Sequence, residues 1–185
     1  MKQLHPDVER ILADETLLQQ ICDKLANRIT EDYKNSGRDL VFVVILKGSV
    51  FFATDLIRRV GLDCHLEFMK VSSYGAGTTS SGFIQVHVDL RRDVKDADVI
   101  LVEDIIDSGR TLEKLSQLFA TRGAHSVKCC TLLDKPERRQ VPLKADYTGM
   151  EIPDEFVVGY GLDYNERYRN LPYVGILKKS VYETD

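Results

Sequence analysis

Apolar positions along this chain fall into two patterns. Three stretches are apolar without a break or nearly so: residues 40–46 (LVFVVIL), 96–104 (DADVILVED) and 125–134 (HSVKCCTLLD). Strands buried on both faces read this way, and parallel sheets make such strands. Other stretches repeat at helical spacing. Residues 6–36 carry Ile11, Leu12, Leu17, Leu18, Ile21, Leu25 and Ile29 at steps of one, three, four and five, and a glycine stop follows at Gly37. Residues 49–60 place Val50, Phe51, Ala53, Leu56 and Ile57 on one face. Residues 111–123 turn Leu112, Leu115, Leu118 and Phe119 inward and end on Gly123. Residues 64–71 and 83–90 alternate, as strands with one wet face do. Residues 155–163 and 173–182 read as two further strands with a polar loop between them, and 135–153, with its prolines and charges, reads as a connecting segment.

Strand, helix, strand in this order implies right-handed crossovers. The predicted fold class is therefore α/β, a doubly wound, mostly parallel sheet. The N- and C-terminal segments are expected to form a small hood beside it. No internal repeat or linker divides the chain, so residues 1–185 are read as a single domain. Residues 72–82, SSYGAGTTSSG, hold one large side chain, Tyr74, and are predicted to form a mobile loop.

Composition changes this picture little. The chain has 43% hydrophobic and 29% charged residues, ordinary for a soluble globular protein. A net charge of −4 argues against a broad nucleic-acid footprint. The N-terminus lacks a continuous apolar signal segment, and no apolar run approaches the roughly 20 residues that span a bilayer. A cytoplasmic location with no membrane partner is expected. Cys22, Cys64, Cys129 and Cys130 form no C-x-x-C pair or metal-ligand spacing, and are read as reduced, structural thiols. His5, His65, His87 and His125 are assigned no chemistry.

The chemistry concentrates in residues 101–112, LVEDIIDSGRTL. Ser108, Gly109 and Thr111 open a helix, where backbone N–H groups and hydroxyls make an anion pocket. Glu103, Asp104 and Asp107 stand beside it, where a bound anion alone would be repelled. The acids need another partner: vicinal hydroxyls of a sugar, or Mg²⁺, which takes one or two carboxylates plus substrate oxygens. A ribose 5-phosphate satisfies both halves, with its phosphate in the loop and its hydroxyls on Glu103 and Asp104. Asp107 then faces the anomeric carbon, as a general base or a stabiliser of positive charge. The plainer alternative is a capped helix after two solvated acids. Lys47 and Gly48, in LKGS at the end of the first buried strand, are placed to grip a leaving diphosphate.

VILVEDIIDSGRT is similar to the phosphoribosyl-diphosphate motif of the type I phosphoribosyltransferases: an apolar strand, two acids, apolar residues (here Ile105 and Ile106), then D-[ST]-G-x-T. Arg110 fills the variable position. ILKGSVFFATDL resembles the first active-site loop of the hypoxanthine-guanine members, where the peptide before the lysine is often cis. SSYG, with Ser73 and Tyr74, resembles their second loop, which covers the site as a lid. EFVVGYGLDYNERYRNL resembles their purine pocket. The resemblance implies Phe156 stacking on the base, backbone near Val157 and Asp163 reading its edge, and Lys135 donating to a 6-oxo oxygen. It also implies Asp163 helping Glu103 and Asp104 hold Mg²⁺, and Arg169 contacting diphosphate. The implied activity is transfer of a phosphoribosyl group from 5-phosphoribosyl 1-diphosphate to N9 of hypoxanthine or guanine, in purine salvage. A homodimer or homotetramer is implied as well. Two other classes fit less well: a nucleic-acid-binding regulator would need a basic face, and a dinucleotide oxidoreductase would need G-x-G-x-x-G after the first strand.

Overall fold

The computed structural model describes residues 4–73 and 84–183. The predicted loop 72–82 therefore lies largely outside the described residues, Tyr74 included. Ser72 and Ser73 end a strand instead.

The chain opens with β1 (Val8–Ala13), followed by α1 (Glu15–Tyr33). This corrects the reading of residues 6–36 as helical throughout. Asp14 starts the helix by accepting a hydrogen bond from the Leu17 N–H at 2.8 Å. The six residues before it pair antiparallel with a strand from the far end of the chain. Then come β2 (Leu40–Ile45), α2 (Val50–Ile57), β3 (His65–Ser73), β4 (Ile84–Val88), β5 (Asp98–Ile106), α3 (Arg110–Thr121) and β6 (Ser126–Asp134). A single 3-10 turn, Pro136–Arg138, leads to β7 (Tyr147–Glu151). β7 falls in the segment read as a connection. The chain ends in β8 (Val157–Val158), β9 (Val174–Leu177) and the short α4 (Lys179–Tyr182), so the last predicted strand is shorter than expected.

The main sheet runs β4-β3-β2-β5-β6-β7. All its pairs are parallel except β3–β4. All six residues of β2 are buried, as its unbroken apolar run demanded. One core lies under α1 and α2, with Leu18, Ile29, Phe42, Phe52, Leu56 and Ile100. The other lies under α3, with Val43, Leu101, Leu115 and Phe119. Each such side chain contributes about 1.5–3 kcal/mol when fully buried. Leu118, predicted inward, is only partly buried. From β2 the chain winds outward to β3, then returns to the other side of β2 to lay down β5, β6 and β7. The winding direction reverses between β2 and β5, and the crevice at such a reversal is where open α/β sheets bind ligands.

The hood is a second sheet, β1-β9-β8, made from both ends of the chain as expected. Val8, Val158, Tyr168, Tyr173 and Leu177 form its own small core. Among the described residues no helix is long and apolar enough to cross a membrane.

Candidate active site

β2 and β5 are neighbours, so the segments leaving their carboxyl ends meet. The first is Leu46–Lys47–Gly48, and the Leu46–Lys47 peptide is cis. The second is the acidic strand end and the turn into α3. Gly48 sits so close to Asp104 that a Cβ on it would lie 1.6 Å from Asp104 Oδ2. The hood reaches the same point: a Cβ on Gly161 would lie 1.9 Å from the Gly48 carbonyl oxygen. Main chain, carboxylate and hood thus close around one spot without room for a methyl group.

β5 continues to Ile106, so Glu103 and Asp104 lie inside the strand rather than at its end. Glu103 Oε2 is shielded and has no hydrogen-bond partner among the described residues. Burial, then the negative charge of Asp104, pushes the Glu103 carboxyl well above the usual range. Burial also raises Asp104, opposed by the Ile105 N–H, which donates to Asp104 Oδ1 at 2.9 Å. Such an acid pair, with one oxygen lacking a donor, fits a cation or sugar hydroxyls. Among the described residues no three ligating side chains converge into a ready-made metal cage.

Glu103, Ile106, Asp107, Ser108, Gly109 and Thr111 line a cleft of about 100 Å³ at the start of α3. Gly109 precedes the helix with φ of +81°, a conformation that glycine reaches at little cost. It lets the chain turn sharply from β5 into α3, where the first N–H groups of a helix have no partner within it. Arg139, ion-paired to Asp134, packs against the back of Gly109. Asp107 is half exposed, with its Oδ1 3.2 Å from Arg138 Nε. Arg110 is exposed.

Lys135 follows the end of β6 and is buried, although a lysine there would ordinarily reach solvent. Its N–H donates to Ile106 O at 2.9 Å, and its Nζ is 3.5 Å from Asp154 Oδ1. Arg138 Nη1 also reaches Asp154 Oδ1, at 3.4 Å. Phe156 lies just before β8, and Val157 is buried in the hood sheet opposite Ile176. Tyr182 of α4 stacks on Phe156 at 4.9 Å between centroids, and Tyr164 meets it edge-on at 5.5 Å.

The loop after β8 gathers the remaining charges. Arg169 donates from Nη1 to Gly161 O at 2.7 Å and from Nη2 to Asp163 Oδ1 at 2.8 Å. Lys47 binds one oxygen of Glu166 and Arg169 the other. The fold thus brings Lys47, Gly48 and Asp104 together, joins Arg169 to them through Glu166 and Asp163, and sets Glu103 with residues 107–111. Lys135 and Asp107 are linked through Arg138 and Asp154. Ser73 is described only as the last residue of β3.

Sequence reasoning missed Arg138, Asp154, Glu166 and Tyr182. Asp163, Glu166 and Arg169 recur every three residues, a spacing that marked charges meeting on one turn. Nothing local marked Tyr182, which arrives from the chain's end. The thiols behave as read: Cys22, Cys129 and Cys130 are buried, and burial lifts Cys22 and Cys129 to about 11.

Comparison with known proteins agrees with this geometry. Residues 8–165 match the family described as phosphoribosyl transferase domain. The hypoxanthine-guanine phosphoribosyltransferase of Staphylococcus epidermidis is 49% identical over 179 residues, 97% of this chain and 99% of that one. The bifunctional protein TilS/HprT of Listeria monocytogenes is 50% identical over 181 residues, 98% of this chain but 28% of that longer one. A crystal structure of a hypoxanthine phosphoribosyltransferase from Staphylococcus aureus superposes with a TM-score of 0.94 at 46% identity, covering 100% of both chains. Matched by that family's model over most of its length and nearly half identical to a full-length relative, the chain belongs to the phosphoribosyltransferase family.

Proposed function

We propose that this protein is a purine-salvage enzyme that joins hypoxanthine or guanine to 5-phosphoribosyl 1-diphosphate, releasing diphosphate and the nucleotide IMP or GMP. The observation that carries the reading is the convergence of a helix-start anion loop, a buried acid pair and a buried lysine at one crevice. The ribose phosphate sits on Ser108, Gly109, Arg110 and Thr111, beside Ile105 and Ile106. Glu103 and Asp104 take the ribose hydroxyls, and with Asp163 they are the residues to hold Mg²⁺. Bound there, the ion neutralises charge on the diphosphate.

N9 of the purine forms a bond to the anomeric carbon as the bond from that carbon to the diphosphate oxygen breaks. Asp107 accepts the proton that the purine loses at N7. Lys47, the Gly48 amide and Arg169 draw off the charge of the leaving diphosphate. Phe156 stacks on the base, and the backbone at Val157 and Asp163 reads its edge. Lys135 donates to the 6-oxo oxygen; adenine presents a donor there, so it is disfavoured. Ser73 and Tyr74 belong to a lid that keeps water from the electrophilic sugar.

We assign residues 1–185 to one domain working in the cytoplasm. A second copy of the chain covers the exposed face of the β3–β4 ribbon, where Leu66, Phe68, Val86 and Val88 are 38–44% exposed. A steady-state assay with hypoxanthine, guanine, xanthine and adenine tests the function. Turnover of 6-oxopurines that is lost on chelating Mg²⁺, and that falls about 10²–10⁴-fold in Asp107→Asn, is expected. Equal use of adenine, or an unaffected Asp107→Asn, would count against it.

A further inference from the structure

Lys47 and Arg169, the two cations assigned above to the leaving diphosphate, already share an anion. Glu166 Oε2 accepts from Lys47 Nζ at 2.6 Å, and Oε1 accepts from Arg169 Nη2 at 3.1 Å. One carboxylate therefore spans cations from two distant parts of the chain, each oxygen serving one of them. A diphosphate would engage the same pair in the same two-pronged way. Arg169 Nε is also shielded and without a partner among the described residues, so its guanidinium has a donor that Glu166 does not use.

The backbone directs Glu166 to this spot. Asn165 and Glu166 have φ of +51° and +62°, a left-handed turn that a glutamate seldom adopts. The turn is fixed by the Glu166 N–H donating to Asp163 Oδ2 at 2.9 Å. Glu166 is itself well exposed.

We propose that Glu166 is an internal counter-anion, holding the diphosphate's place in the ligand-free protein and yielding it when the diphosphate arrives. The inference rests on the functional reading above. Glu166 raises the threshold for entry. Any anion that takes both cations must first expel the carboxylate, so Glu166 weakens each of them by the same factor, the fraction of time it leaves the pair free. It also speeds release of the product diphosphate by refilling the cation pair behind it.

Glu166→Gln keeps the shape and removes the charge. Binding of inorganic diphosphate and of inorganic phosphate, each with Mg²⁺, is measured by calorimetry on both proteins. Two exposed ion pairs of this kind oppose ligand by an amount that corresponds to roughly three- to tenfold in Kd. The expected result is tighter binding of both anions by that same factor. Unchanged or weaker diphosphate binding in Glu166→Gln would overturn the proposal, because a carboxylate that merely orients Lys47 cannot raise affinity by leaving. If the unsubstituted protein binds no diphosphate and forms no nucleotide, the functional reading itself falls.

Discussion

Glu103 illustrates how single residues in this crevice trade stability for binding. Its carboxyl is buried beside Asp104 with one oxygen unpartnered, and it is held well above the usual carboxylate range. The folded chain therefore binds a proton more tightly than the unfolded chain does. The stability this contributes is complete below the unfolded value near 4.5 and is lost as pH rises through the folded value. Glu103→Gln cannot lose it. The ligand-free variant should melt higher than the parent at neutral pH, with a difference that shrinks towards pH 4.5, and should bind 5-phosphoribosyl 1-diphosphate more weakly. Calorimetric melting across this range checks it, and a difference independent of pH would contradict it. The acids were legible because two adjacent carboxylates after an apolar run need a reason. Their burial was not legible, because β5 runs on through Asp104 to Ile106 where the pattern suggested an end. Nor could the sequence reveal that Lys135 is buried beside Asp154, since ion pairs between loops leave no periodic trace.

Elements were legible where their partners are local. β2, β5, β6, α2 and α3 each carry a period or a run that any window of a dozen residues contains. β1 and β7 do not. Val8–Ala13 becomes a strand because Val174–Leu177 lies beside it, and Tyr147–Glu151 because β6 offers a parallel edge. Long-range pairing outweighs weak local preference. The same scale governs the close approach of the segment after β2 to β5. A methyl group on Gly48 would meet the Asp104 carboxylate. Gly48→Ala should cost about 1–3 kcal/mol of stability, as overpacking does, and abolish turnover. Because the obstruction is one side chain, Gly48→Ala with Asp104→Ala should recover most of the stability but none of the activity. Additive losses in this double-mutant cycle would show that the two do not collide.

For the whole molecule, the proposed assembly uses the exposed strip on β3 and β4. Leu66 and Phe68 alternate along β3, and Val88 pairs with Lys70 on the same face. A face of this kind at a sheet edge invites a partner. Phe68→Lys should shift sedimentation from a dimer or tetramer to a monomer at micromolar concentration while leaving the melting profile of the isolated fold recognisable. An unshifted boundary would exclude this face from the contact. The hood carries a different consequence. Its first strand, β1, pairs with β9, which is made only after every strand of the main sheet. The nascent chain can lay down that sheet while β1 still waits unpaired. The wall that supports Phe156 and its stacked Tyr182 is thus the last part of the fold to close, and a chain stopped before Val174 would keep the main sheet and lose the hood.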